Sequence, residues 1–311
     1  MNNRHQEMNR VVVITGADAG VGRATMRQFA GCGARIGLIG RDQSRLAQTA
    51  DEARRLGGEA LVCPADVADA AQVEAAAAAV EAAFGHIDVW INNAMATIYA
   101  PFHEIAAEDY KCATEVTYLG AVYGTMAALR RMRPNNNGII IQVGSALAYR
   151  AIPLQSPYCG AKFAIRGFTD ALRSELLHNR CKVRLTMVRL PALNTPQFEW
   201  GKNRSRCSRS RCRRFSSQKW RARPSCGPAG INGAKSTWAG QQSDQPANLA
   251  SPDNLWQAVA GDFAAHGRFD RRAKPGSLQL WTSLYREPIA IGLLTAGLLA
   301  CRYLHKRRHK F

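Results

Sequence analysis

Val11-Val12-Val13-Ile14-Thr15-Gly16-Ala17-Asp18-Ala19-Gly20-Val21-Gly22 is the stretch on which the reading of this chain turns. Its first four residues are β-branched and apolar at successive positions, which suits a strand covered on both faces. Glycines at 16, 20 and 22 let the backbone turn sharply and approach a ligand closely, and residues 23–32 beyond them have helical composition. A strand, a glycine-rich turn and a helix start, in that order, make a pyrophosphate site, because the free N–H groups opening the helix meet the negative charge. Outside that context the same turn is an ordinary strand-to-helix loop.

Further along, short apolar runs recur at 36–39, 60–63, 87–91, 139–143 and 183–190, with helical candidates such as 70–84, 116–132 and 161–178 between them. Alternating strands and helices predict an α/β fold, a Rossmann-type doubly wound parallel sheet in three layers, over residues 10–200 behind a polar tail at 1–9. With 311 residues, 46% of them hydrophobic, the chain is long enough to bury such a core. Its net charge of +19 is concentrated: residues 1–201 carry +3, 202–223 carry +10, 224–301 carry +1 and 302–311 carry +5. The nine cysteines include no CxxC pair, which argues against a zinc site or a disulfide framework and fits a reducing, cytoplasmic compartment.

Residues 201–250 form a different segment. Between 201 and 248 Ile231 is the only Val, Leu, Ile or Met, too little apolar area to offset the entropy of ordering the chain. The expectation is a disordered stretch, or one read out of frame, with ordinary composition resuming by Pro252-Asp253-Asn254-Leu255-Trp256 in a C-terminal extension over 251–311. Within that extension, 13 uncharged and mostly apolar residues at 289–301 precede a basic tail. A bilayer span needs roughly 20 residues, so a surface anchor at the cytoplasmic face fits better than a span, and a terminal helix docking on protein is the plainer alternative.

Two sites carry chemistry. The second strand ends in Gly40-Arg41-Asp42, and an arginine there accommodates a 2′-phosphate where an acid would hold a free ribose hydroxyl. Arg41 therefore predicts NADP(H) over NAD(H), with Asp42 readable either as the acid or as a helix cap. Farther on, Ser145, Tyr158 and Lys162 stand 13 and 4 residues apart, which puts Tyr158 and Lys162 on one helix face and Ser145 at the carboxyl end of a strand. Tyrosine with its ordinary pKa of about 10 is a poor base near neutrality; an adjacent ammonium and an oxidised nicotinamide ring both favour the phenolate. Tyr158 then exchanges the proton with the substrate oxygen, Lys162 lowers its pKa and holds the ribose, and Ser145 orients the carbonyl or hydroxyl.

With Asn92-Asn93-Ala94 after the fourth strand, these residues resemble the short-chain dehydrogenase/reductase family over residues 10 to about 198, and most of all its bacterial members with an apolar, basic C-terminal extension. The resemblance implies NAD(P)-dependent oxidoreduction of an alcohol, ketone or aldehyde. It implies cofactor contacts from Thr15, Gly16, Gly20, Val21, Gly22, Asp66, Val67, Asn93, Ala94 and Lys162, and a pairing of the chain as a homodimer. The chain departs from the family's pattern at Met95, where a glycine is usual; at Thr117, which stands for the asparagine of the proton relay; and at Pro191-Ala192, beyond which Thr195 still reaches toward the nicotinamide amide. The largest departure is the lack of any pattern for a last helix and seventh strand in 201–248. Two other readings stay open: a catalytically impaired descendant that keeps cofactor binding, and a nucleic-acid-binding protein using the Arg/Ser-rich stretch 202–223 with its ten basic residues, although no recognition module accompanies it.

Overall fold

The computed structural model describes residues 9–204, 207–209, 242–246, 252–261 and 263–265. The runs read as strands form one parallel sheet. β1 (Val11–Thr15), β2 (Arg35–Gly40), β3 (Glu59–Pro64), β4 (Val89–Asn92), β6 (Ile139–Ser145) and β7 (Arg184–Leu190) lie in the order β3-β2-β1-β4-β6-β7. The order reverses between β1, which pairs with β2 on one side, and β4 on the other. Such a switch point opens a crevice at the carboxyl ends of the strands, where ligands of open α/β sheets bind.

Burial explains why the strands read as continuous apolar runs. Val11 and Val13 belong to one core cluster with Trp90 and Ile140, whereas Val12 and Ile14 belong to another with Ile36, Leu38 and Ile91. Successive side chains of β1 thus enter opposite layers, and all five of its residues are buried. Helices α1 (Gly20–Ala30) and α2 (Gln43–Arg55) supply the second cluster, through Met26, Ala30, Leu46 and Ala50. On the other layer, α3 (Ala70–Phe84) and α5 (Gly120–Met132) contribute Val73, Val80, Ala128 and Met132.

Local chemistry sets the helix starts. Asp42 accepts the Arg45 N–H at 2.9 Å, and Asp69 accepts those of Ala71 and Gln72 at 2.8 and 3.2 Å, so both are N-caps. The helix expected at 116–132 begins earlier. α4 (Ala107–Thr114) runs into a π-turn over Glu115–Leu119, and α5 follows from Gly120. The wider turn is where Thr117 reaches the chain after β4 and Gly120 meets Val67, on which a Cβ would lie 2.8 Å from Cγ2.

The 23-residue α6 (Ser156–His178) carries Tyr158 and Lys162, and its buried Leu176 joins the first cluster. α7 (Gln197–Trp200) is a single turn after β7. Of the segment expected to lack order, the described residues make two short ladders. β5 (Ile98–Tyr99) pairs in parallel with β8 (Lys202–Asn203), and β9 (Cys207–Arg209) pairs antiparallel with β10 (Gln242–Pro246). Residues 205–206, 210–241 and 247–250, the tail at 1–8, the apolar stretch at 289–301 and the basic terminus lie outside the described residues. Among the described residues no helix is long and apolar enough to cross a membrane, and no cluster of His, Cys, Asp or Glu suits a metal ion.

Candidate active site

The glycine-rich turn and the loop after β4 are locked together by one hydroxyl. Thr15, which is 2% exposed, accepts the N–H groups of Asn93 and Ala94 at 2.9 and 3.0 Å. Asn93 returns the tie, its amide donating to the carbonyls of Thr15 and Gly16 at 2.9 Å each. Both of these side chains therefore shape the cleft floor from beneath. Gly16 has φ of +62°, and a Cβ on Gly22 would sit 2.0 Å from the Gly16 carbonyl oxygen, so neither position admits a side chain. Gly16, Gly20, Val21, Asn93, Ala94 and Thr195 line one cavity, together with Met95 and Thr97; its volume is about 110 Å³. Gly22 packs behind it.

At the end of β2, Asp42 is spent as the helix cap. Arg41 lies beside the crevice, but its guanidinium donates to the carbonyls of Leu255 and Trp256 at 3.2 and 3.1 Å and to that of Asn254. Arg45 lies between, 6% exposed along its side chain, paired with Asp18 at 2.9 Å and bonded to the Val259 carbonyl. Beyond β3, Asp66 accepts the Ala68 N–H at 3.0 Å and Val67 is buried against Gly120, so this pair forms the wall between β3 and α5.

Ser145 closes β6, 9% exposed, and its hydroxyl accepts the Leu147 N–H at 3.1 Å. Tyr158, one turn before Lys162 on α6, meets that hydroxyl: burial pushes the phenol well above its ordinary value, and its contact with Ser145 pulls the other way. Lys162 is 3% exposed, with its ammonium 5.6 Å from the centre of the Tyr158 ring and donating to the Val143 carbonyl at 2.7 Å. Desolvation brings the lysine down to about 8. The three residues come together as the spacing predicts, but the phenol is raised, not lowered, because loss of water outweighs the hydrogen bond with the Ser145 hydroxyl. Thr117, fully buried, accepts the Ala96 N–H at 2.9 Å and donates to the Ala96 carbonyl at 3.0 Å.

Three features escape a reading of the sequence. Thr97, 2% exposed, lines the cavity with a hydroxyl that has no partner among the described residues. A buried network links Trp90, Asn92, Thr125 and Gln142 beneath the floor: the Trp90 indole donates to Asn92 at 2.8 Å, and the amides of Asn92 and Gln142 donate to the Thr125 hydroxyl at 3.0 and 2.8 Å. Residues 252–261 and 263–265 return to the cleft from more than 200 positions away, a pairing that no local pattern announces. The resumption of ordinary composition at Pro252 was its only trace.

A sequence model described as short chain dehydrogenase matches residues 10–203. An uncharacterized oxidoreductase of Bacillus subtilis, YxnA, is 33% identical over 192 residues, which are 61% of this chain and 54% of that protein. A fatty acyl-CoA reductase of Acinetobacter baylyi is 29% identical over 197 residues, 63% of this chain and 66% of that one. The chain thus spans about half to two thirds of the length of these relatives. The crystal structure of a short chain dehydrogenase/reductase from Burkholderia phymatum in complex with NAD superposes with a TM-score of 0.60 at 28% identity, covering 62% of this chain and 69% of that one.

Proposed function

Because the chain belongs to the short-chain dehydrogenase family, we propose that it is an oxidoreductase that interconverts an alcohol and a carbonyl group on a lipophilic small molecule, with a nicotinamide cofactor as redox partner. The observation that carries this reading is the contact of Tyr158 with the Ser145 hydroxyl, beside a buried Lys162, at the carboxyl end of β6. The glycine-rich turn fits the cofactor, since its backbone is bare where a pyrophosphate approaches and Gly16 and Gly20 lie in the cavity wall. When bound, the nicotinamide ring supplies or accepts the hydride. All other steps fall to the chain's own groups.

Tyr158 holds its proton at neutral pH and so acts as a general acid: its hydroxyl donates to the oxygen of a carbonyl group as that oxygen gains charge. Ser145 donates a second hydrogen bond to the same oxygen and fixes its orientation. Lys162, brought down to about 8 by desolvation, titrates close to physiological pH, with its ammonium 5.6 Å from the centre of the Tyr158 ring. The fatty acyl-CoA reductase among the relatives supports a lipophilic substrate.

Arg41 at the end of β2 supports NADP(H) over NAD(H), since a guanidinium there suits a 2′-phosphate. By the same reading the chain pairs as a homodimer on the cytoplasmic side, and the basic sequence at 302–311 suits a membrane surface. The test is oxidation of NADPH and of NADH with a panel of long-chain aldehydes and hydrophobic ketones, with Tyr158→Phe as control. Turnover that prefers NADPH and is lost in Tyr158→Phe supports the reading; turnover indifferent to that substitution refutes it.

One observation favours a second reading, a cofactor-binding descendant of impaired activity. The cavity of about 110 Å³ is well below the roughly 300 Å³ at which pockets for small molecules begin. Binding of NADPH without reduction of any member of the panel supports this alternative.

A further inference from the structure

The bonds of Arg41 and Arg45 run to one segment, and Asn254 of that segment also lines the cavity. Residues 252–261 and 263–265 lie along the edge of the crevice and use the groups that a phosphorylated dinucleotide needs. Three backbone carbonyls, of Asn254, Leu255 and Trp256, converge on the Arg41 guanidinium. A fourth, of Val259, takes Arg45. A fifth, of Ala264, accepts the Gly20 N–H at 3.3 Å, at the start of α1 where the helix presents its free donors. Each oxygen sits on a donor suited to an anionic one.

The segment is also fastened by side chains, of which Phe263 lies under the Arg45 guanidinium at 5.8 Å and Trp256 reaches a separate partner. The Trp256 indole donates to Asp109 at 2.8 Å, Phe263 packs edge-on against Trp200 with ring centres 4.7 Å apart, and the Leu255 side chain is fully buried. Trp256 itself is 55% exposed, so its anchor lies at the surface.

We propose that residues 252–261 and 263–265 are an autoinhibitory strap that occupies the phosphate-binding end of the cofactor cleft and must leave it before a dinucleotide can bind. This rests on the reading of the cleft as a dinucleotide site. The strap's carbonyls are neutral, and a phosphate oxygen makes a stronger, charge-assisted bond to the same guanidinium. A 2′-phosphate therefore competes for Arg41 where a ribose hydroxyl does not. The observed affinity is the intrinsic affinity reduced by the fraction of molecules with the strap released, so loosening the strap tightens binding.

The experiment uses the full chain and two variants, Trp256→Ala and Phe263→Ala, with NADPH and NADH titrated by fluorescence and amide hydrogen exchange followed across 252–265. The strap predicts that each variant binds NADPH about threefold or more tightly than the parent protein, and that NADPH speeds exchange in 252–265 in the parent chain. Unchanged or weaker binding in both variants overturns it, as does slower exchange in 252–265 on adding NADPH, which would mean that the segment closes over the cofactor. Should one variant fail to fold, the exchange measurement on the parent chain decides alone. If the parent and both variants bind neither NADPH nor NADH, the dinucleotide reading itself falls; binding with a strap that stays protected removes only the strap.

Discussion

Lys162 places its ammonium 5.6 Å from the centre of the Tyr158 ring while giving its hydrogen bond to the Val143 carbonyl at 2.7 Å. The lysine is thus oriented by the carboxyl end of β6, with its ammonium beside the Tyr158 ring. Its burial has a thermodynamic signature. A lysine brought from 10.5 to about 8 by folding binds fewer protons in the folded than in the unfolded chain between those values. Stability therefore rises with pH across that window, by at most about 1.4 kcal/mol per pH unit from this group. Tyr158 is shifted upward, so above its ordinary value of about 10 it contributes in the opposite sense. Urea unfolding at pH 8 and pH 9.5 should give a steeper rise for the wild-type chain than for Lys162→Met. Equal slopes would mean that Lys162 is not desolvated.

The turn of Gly22 onto Gly16 sets a second expectation. A methyl group at 22 would lie 2.0 Å from the Gly16 carbonyl oxygen and 2.7 Å from the Asn93 amide nitrogen, contacts that no rotamer relieves because one partner is backbone. Gly22→Ala should cost about 3 kcal/mol or more and abolish NADPH binding, since the turn and the loop after β4 must separate to admit it. Thermal unfolding and NADPH titration check both parts. A folded Gly22→Ala protein with parental affinity would disprove the close packing of the two loops.

Much of this was legible from residue order alone. Six strands fall where the apolar runs lie, because a strand buried on both sides, like Val11–Thr15, announces itself by composition. Ser145, Tyr158 and Lys162 were legible because strand end and helical spacing fix their relation. What residue types do not reveal is which partner a polar group finds. Thr15 and Asn93 look like ligand contacts and are spent on each other's loops; Asp42 is a cap; Arg41 points at carbonyls from residues 254–256. The direction of the Tyr158 shift was missed for the same reason. Desolvation depends on everything packed around the phenol, whereas spacing names only the lysine.

Beneath the cleft floor, the Thr125 hydroxyl is the hub of the buried network, accepting from the amides of Asn92 and Gln142 and donating to the Ala121 carbonyl at 2.7 Å. Thr125→Val conserves the shape and leaves two buried donors unpaired, at about 1–3 kcal/mol for each group. The expected result is a loss of about 2–4 kcal/mol in the free energy of unfolding with little change in the affinity for NADPH. Equilibrium denaturation that shows a loss under about 0.5 kcal/mol would mean that the network does not hold β4, α5 and β6 together.

The resemblance read from the sequence puts Thr117 in place of a relay asparagine, and its bonds set limits on what it can do there. A hydroxyl has one proton to give and two lone pairs. Thr117 gives the proton to the Ala96 carbonyl and accepts the Ala96 N–H, so one lone pair is left. It can hold a donor but cannot pass a proton onward without breaking its bond to Ala96. Its main service is to fix the loop after β4, next to Met95 and Thr97 in the cavity wall. Thr117→Val should therefore destabilise the fold by about 2 kcal/mol through the two stranded backbone groups. Thr117→Ser, which keeps the hydroxyl, should recover most of that loss. The pH dependence of kcat should be the same in Thr117→Ser as in the parent chain, and in Thr117→Val it should keep its inflection points while falling in amplitude. An inflection displaced by a full pH unit in Thr117→Val, with stability unchanged, would assign the hydroxyl to proton transfer and remove the structural role argued for it.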